Sequence, residues 1–334
     1  MKKKKIINSA VVGLGFGYLH AKILKNNKKV NLITVCDKNK KLEKYATKLK
    51  CNFTSKFKDI LKNKDIDLVT IASYDNFHYE HVIACIKEKK HIFIEKPFCQ
   101  NKLQYYKIKK LINSNKINFS TNFVLRNHPK FLKIKEIIKK NKIGKIYHIE
   151  GDYNYGRLEK LTKGWRGKIP FYSVTQGGGI HIIDIMIWIL KSLPKEVFAF
   201  GNKFCSLNSK FKFDDNVVGL INFQNGVTGK VLSNFGSVTP HDHQMRIFGT
   251  KGTLILSNNN LELYSSRNPN KKAIRMSFSK KKDYKKKILN DFIDSIYNKR
   301  KIKILSKKEI FASMKTCLAI DKSLKQKKRI KLKN

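Results

Sequence analysis

The run Ala10-Val11-Val12-Gly13-Leu14-Gly15-Phe16-Gly17-Tyr18-Leu19-His20 limits the fold more than any other part of the chain. An apolar stretch ends in spaced glycines, and apolar residues at helical spacing, Leu19, Ile23 and Leu24, follow at once. That order is strand, tight turn, helix. Gly13 gives the turn the backbone freedom it needs, and Gly15 lets the main chain approach a pyrophosphate with no Cβ in between. The helix then points its unpaired N–H groups at the phosphates. A second apolar strand, Leu32 to Cys36, ends in Asp37, whose carboxylate can accept both hydroxyls of an adenosine ribose. Gly13, Gly15, Phe16, Gly17 and Asp37 are therefore expected to bind a dinucleotide. The usual third glycine falls at Tyr18 here, one residue after Gly17, so helix-to-strand packing is expected to differ from the common turn.

Further strands, Asp67 to Ala72, His91 to Ile94 and Ile117 to Asn122, alternate with helices, which means parallel βαβ units. Pro97 cannot continue a central strand, so the chain must turn just after Lys96. Ligands of open α/β sheets bind beyond the carboxyl ends of the strands. Ser73, Asn76, His78, Glu95, Lys96 and Asn122 all arrive there, and they complete the expected cofactor contacts. Beyond residue 145 the pattern becomes runs of strands, over 145–153, 196–204, 216–223, 227–234, 243–248 and 253–263. Asn225-Gly226 predicts a two-residue hairpin between two of these. A last helix is expected over 310–323. The fold class is α/β: a Rossmann dinucleotide-binding domain over 1–122, then an α+β domain over 123–334 with a large, mostly antiparallel open sheet.

Charge raises a competing idea. Lys+Arg 72 against Asp+Glu 24 gives +48, a balance that suggests nucleic acid or an anionic membrane. The excess, however, is almost all lysine spread from Lys2 to Lys333, whereas base readout and phosphate clamps favour arginine in a concentrated patch. Solvated lysine faces explain it, including the runs around 280–287 and 326–333. No apolar stretch approaches the ~20 residues that span a bilayer. Six scattered cysteines without CxxC spacing read as reduced, buried thiols. The expectation is a cytoplasmic protein that binds neither nucleic acid nor membrane.

Resemblance adds specificity. Gly13-Leu14-Gly15, Asp37, the Asn76/His78 turn, Glu95-Lys96-Pro97, Gly164-Trp165-Arg166, Gly177-Gly178-Gly179 with His181 and Asp184, and Gly249 to Leu254 follow in order and spacing. In this the chain resembles the glucose–fructose oxidoreductase / inositol dehydrogenase (Gfo/Idh/MocA) family over nearly its whole length. The resemblance implies a nicotinamide-dependent oxidoreductase acting on a secondary hydroxyl of a sugar, cyclitol or nucleotide sugar. It also implies a homodimer or homotetramer formed through the C-terminal sheet.

The residues suit that chemistry. Removing a hydride from an alcohol requires that its proton leave too, so a base must stand beside the nicotinamide. His181 is the expected base, and Lys96 is expected to hold the substrate oxygen and stabilise alkoxide charge. On the apolar helix 180–190, His181, Asp184 and Trp188 share a face, so Asp184 can orient the imidazole. Where the family carries an aspartate four residues before this histidine, the chain has Gly177. Either His181 works with Lys96 alone, or Asp152, Asp184 or Asp215 substitutes. Arg126, Tyr153, Trp165 and Arg166 are expected to meet the substrate, with Tyr155 near them. His241-Asp242-His243 lacks the third ligand of a zinc site, so no metal is expected. Asp37 repels a 2′-phosphate and favours NAD, although Lys38 and Lys40 can offset that repulsion and admit NADP. A catalytically impaired cofactor sensor of the same fold is the alternative, against which the retained Lys96 and His181 argue.

Overall fold

The computed structural model describes residues 5–258, 260–278 and 283–332. Lys2, Lys3, Lys4 and parts of both C-terminal lysine runs lie outside them. Two units emerge: residues 1–123 with 285–310, and residues 124–284 with 311–334.

In the first unit, β1 (Ile7–Val12), α1 (Gly17–Lys25), β2 (Val30–Cys36), α2 (Lys44–Leu49), β3 (Asn52–Thr54) and α3 (Phe57–Lys62) form one half. The other half is β4 (Leu68–Ile71), α4 (Asp75–Lys87), β5 (His91–Ile94), α5 (Lys102–Ser114) and β6 (Phe119–Thr121). The strands lie in the order β3-β2-β1-β4-β5-β6, all parallel, with the switch point at β1/β4. Such sheets are covered on both faces, which is why β4 is buried at every position and β5 at three of four. Residues 285–310, assigned by sequence to the second domain, return to this unit. Ile288, Leu289, Phe292 and Ile293 give the helix Lys287–Tyr297 a buried stripe. Phe292 meets Phe93 at 5.6 Å, and Asn290 and Asp294 bond Asn27 and Lys29 at the end of α1. Those partners lie far back in the chain, so nothing local in the sequence signals the return.

The second unit contains α6 (Pro129–Lys139), β7 (Ile146–Asn154), α7 (Glu159–Thr162), α8 (Ile180–Leu190), β8 (Pro194–Asn202), β9 (Asn216–Phe223) and β10 (Thr228–Asn234). Then follow β11 (Asp242–Gly249), β12 (Thr253–Ser257), β13 (Asn260–Tyr264) and β14 (Ile274–Ser277). Among the described residues they form a nine-stranded sheet, β14-β13-β12-β11-β7-β10-β9-β8 and finally Ile330–Lys331. Every pairing is antiparallel except β7 with β10. The single strand expected over 253–263 is the hairpin β12/β13, broken at Asn258, whose φ is +51°. The Asn225-Gly226 hairpin also differs from expectation: of the two residues only Gly226 takes a positive φ, +82°, and Phe223 bonds Val227. The loop is thus three residues with glycine at the left-handed position.

Helix α8, apolar nearly all round, is buried as such a helix must be. One face of the sheet packs against it and against the helix Lys307–Gln326: a Cβ on Gly151 would meet Ile182, and one on Gly219 would meet Ile320. Among the described residues no helix is long and apolar enough to cross a membrane.

Candidate active site

The carboxyl edge of the parallel sheet is knit by main-chain bonds: Gly13 N to Cys36 O, Ala72 N to Val12 O, Glu95 N to Ile71 O and Asn122 N to Ile94 O, at 2.7–3.1 Å. Gly13 has φ +85°, and a Cβ there would lie 2.5 Å from the Ala72 carbonyl oxygen. Only glycine fits on both counts. A Cβ on Gly15 would meet no atom of the rest of the protein within 4 Å, so the main chain there is open to a ligand. Gly17 takes the packing role of the displaced third glycine, since a Cβ there would come to 3.0 Å from Ala72 and 3.1 Å from Val11. The frame-shifted glycine thus keeps the close approach of α1 to the sheet. Phe16 is exposed, and Tyr18 stacks on Tyr45. Asp37 accepts from Leu14 N at 2.7 Å and Asn39 N at 2.9 Å, one bond per oxygen, leaving each a lone pair for a ribose hydroxyl.

At β4 and β5 the picture is more divided. Ser73 bonds His81, whose pKa burial lowers to about 4, so the imidazole is neutral. Asn76 Oδ1, in the first turn of α4, is buried with no hydrogen-bond partner. His78 is completely buried, with its ring nitrogens against Pro97 O and Ser73 O. It ties the two strand-end turns together, so the expected cofactor contact is instead a structural clamp. Glu95 accepts from Asn122 Nδ2 at 2.8 Å and lies 3.0 Å from His20 Nε2. Burial pushes the Glu95 carboxyl up, but the bond and charge of His20, with Lys96 and Asn122, bring it below the usual carboxylate range. His20 escaped the sequence reading; it sits on the buried face of α1 with only Phe16 nearby in sequence to mark it. Asn122 Oδ1 is buried without a partner, and Lys96 is half-buried at the end of β5. Two unpartnered amide oxygens, open main chain at Gly15 and a receptive Asp37 fit a dinucleotide: Gly13 to Gly17 and Asp37 would hold its adenosine half, Asn76, Glu95 and Asn122 its nicotinamide half.

In the second unit, Thr175–Gly179 form a π-helical turn that runs into α8. Insertions of this kind recur at functional sites. Gly177, Gly178 and Gly179 lack side chains because other groups fill that space. A Cβ would meet Tyr172 Oη at 2.0 Å, the Tyr153 ring at 2.4 Å and Ser233 Oγ at 2.1 Å, respectively. His181, 8% exposed, stacks on Tyr153 with ring centroids 6.2 Å apart. Tyr153 also contacts His241 and His243 edge-on, and burial, followed by Tyr155 and Tyr172, raises its pKa. Burial, with His241 and Lys130, drives His243 well below the usual histidine range, so it is neutral. Asp242 turns away from its neighbours, accepting from Asn258 N and lying 3.6 Å from Lys130.

Two expected roles change. Asp184 accepts from Arg126 Nε at 2.9 Å and from Nη2 at 2.8 Å, both residues fully buried. Asp184 thus anchors α8 to the segment Val124–Asn127, and Arg126 has no surface with which to meet a substrate. Breaking such a pair costs roughly 3–5 kcal/mol, which accounts for a structural aspartate beside the expected base. Arg166, half-buried, lies over the Trp165 ring at 4.6 Å and donates from Nε to Tyr172 Oη at 3.0 Å. Tyr155 faces the same group, with Arg166 at 5.9 Å and Arg157 at 5.4 Å from its ring. Tyr172, unmarked in sequence, is the residue there that reasoning missed.

The two sets are those a dinucleotide-binding oxidoreductase would need: a glycine turn with Asp37 at the end of the next strand, and, separately, a buried histidine on the helix that follows a glycine-rich turn. Residues 7–123 match the family described as "Oxidoreductase family, NAD-binding Rossmann fold", and residues 131–255 match the "GFO/IDH/MocA C-terminal domain". The chain belongs to the Gfo/Idh/MocA family of NAD-binding oxidoreductases. It is 26% identical to myo-inositol 2-dehydrogenase of Thermotoga maritima over 260 residues, covering 74% of each chain. The fold matches crystal structures of myo-inositol 2-dehydrogenase from Lactobacillus plantarum, with a TM-score of 0.84, 18% identity and 98% and 100% of the two chains covered. It also matches scyllo-inositol dehydrogenase from Lactobacillus casei with bound NAD(H) and scyllo-inositol, with a TM-score of 0.80, 20% identity and 98% and 99% covered.

Proposed function

We propose that the chain catalyses reversible, NAD-linked oxidation of a ring hydroxyl in a sugar, cyclitol or nucleotide sugar in the cytoplasm, with Lys96 and His181 as its catalytic residues. The observation that carries this is Lys96, half-buried, set between a buried strand and Pro97 and near enough to the Glu95–Asn122 pair for its charge to lower the Glu95 pKa. Bound nicotinamide supplies the two-electron acceptor. The imidazole of His181 takes the hydroxyl proton as the C–H electron pair leaves, a contribution of about 10²–10⁴ in rate for a well-placed base. Lys96 holds the reacting oxygen and stabilises its developing negative charge. Trp165 and Arg166, both half-buried, offer an aromatic ring and a guanidinium to the remaining ring and its substituents, with buried Tyr155 backing Arg166. The named substrates of the relatives, inositols among them, support the polyol class.

Self-association through the nine-stranded sheet belongs to the same reading. Its outer face carries exposed Phe200 and Leu220 beside a ladder of Lys230, Glu150 and Arg246. Sedimentation at increasing concentration tests it, and a strictly monomeric chain refutes it.

The deciding experiment for the activity is NAD reduction by the purified chain against a panel of cyclitols, aldoses and nucleotide sugars. Turnover with at least one, lost in both Lys96→Ala and His181→Ala, is expected. Tight NADH binding with no turnover on any of them favours the sensor instead.

A further inference from the structure

Resting on that reading of His181, we propose that Tyr172 is a positioning residue for the proton transfer, its hydroxyl held by Arg166 in the space that a side chain at Gly177 would fill. Gly177 precedes His181 by four residues, so the two positions share a face of the helix about one turn, some 6 Å, apart. A Cβ on Gly177 would lie 2.0 Å from Tyr172 Oη and 2.6 Å from its Cζ. Glycine is the condition for the phenol to be there. Tyr172 is 3% exposed and braced edge-on by Trp165, Phe211 and Phe235. Arg166 Nε donates to its oxygen at 3.0 Å, and Arg166 is steadied in turn against the Trp165 ring. Because the guanidinium has no acceptor, the phenol's own proton points elsewhere, and a cation donating to the oxygen makes that O–H a stronger donor.

Two of the carboxylates expected to serve here are occupied: Asp184 accepts twice from Arg126, and Asp152 pairs with Lys230 on the face of the sheet opposite Tyr153. Asp215 accepts from Ser206 N with one oxygen, and its other oxygen is buried without a hydrogen-bond partner. The neutral hydroxyl of Tyr172 stands against Gly177, one helix turn before His181, and in this proposal it orients the imidazole and the group that gives up its proton.

The test is Tyr172→Phe in the full-length chain, assayed on whichever polyol the wild type oxidises. A single hydrogen bond to a charged group sets the expected loss at about tenfold to a hundredfold in kcat, with KM for NAD and the melting temperature unchanged. Gly177→Ala, which drives the phenol out, should reproduce that loss. The double variant should lose less than about twofold more, since both changes act through one hydroxyl. A Tyr172→Phe enzyme with kcat within about twofold of wild type overturns the proposal. So does one in which kcat, NAD affinity and melting temperature fall together, the mark of a merely structural side chain. If Tyr172→Phe does not fold, Arg166→Lys decides: kcat falls with KM for the polyol unchanged if the grip on the hydroxyl matters, and an unchanged kcat, or a change in KM alone, refutes it. A wild type inactive on every polyol removes the underlying reading and this inference together, whereas an active wild type with an indifferent Tyr172→Phe removes this inference alone.

Discussion

The two glycine clusters, Gly13 to Gly17 and Gly177 to Gly179, solve different problems with the same residue. The first needs glycine for the main chain: Gly13 has φ +85°, and the space around Gly15 is open. The second is helical throughout and needs glycine for its neighbours, since Tyr172, Tyr153 and Ser233 occupy the places of the three missing side chains. The first cluster is a local device that prepares a surface for a ligand. The second is a packing device whose meaning depends on β7, on β10 and on a loop residue. Replacing a glycine should therefore abolish ligand binding in one cluster and disturb a chemical group in the other.

The largest effects should fall on turnover. Lys96→Ala and His181→Ala are each expected to lower kcat by about 10²–10⁴, while NADH fluorescence titrations of His181→Ala stay near wild type, since that residue belongs to the other cluster. Loss of NADH binding in His181→Ala would erase the division of labour between the clusters.

Next comes the phosphate turn. Gly13→Ala forces a left-handed conformation and a collision with Ala72 O, a strain of about 1–3 kcal/mol before any ligand is considered. NADH affinity should drop at least about tenfold, and Asp37→Ala should drop it similarly by removing the ribose acceptor. If Asp37→Ala binds NADPH no better than wild type does, the carboxylate is not what selects NAD.

Gly178→Ala should cost stability rather than affinity, about 1–3 kcal/mol in chemical denaturation, because the new methyl enters the Tyr153 ring. An unaltered midpoint would mean that the second cluster is not packed as described.

A smaller effect concerns Asp321, which accepts from Ser173 and Gln176 at the start of that cluster and which burial raises to about 6. An acid whose folded pKa exceeds its ordinary value binds a proton more tightly folded than unfolded. Its contribution is therefore present below about pH 4 and is lost as pH rises through 6. The wild type should lose about 1–3 kcal/mol more than Asp321→Asn between those values, and parallel pH profiles would contradict the assignment.

The same contrast explains what the sequence disclosed. Strand, glycine turn, helix and Asp37 are neighbours along the chain, so the parallel sheet and its phosphate turn were legible. The early Gly17 looked like a departure, yet it meets the same demand for close packing against Ala72. His78 and Arg126 were expected at ligands because their types suit them, but burial against main-chain carbonyls and against Asp184 gives them structural work. Tyr172 and His20 carried no local pattern. Their meaning comes from Gly177 and Arg166 in one case and from Glu95 in the other, and only the fold brings those groups together.

The central claim is that the chain moves a hydride from a carbon bearing a hydroxyl to NAD. The most direct measurement incubates it with NAD and ring polyols deuterated at the carbinol carbons, then weighs the recovered nicotinamide. The account predicts one deuterium on the reduced cofactor with wild type and none with Lys96→Ala. Bound NAD that gains no label from any polyol in the wild type would contradict it.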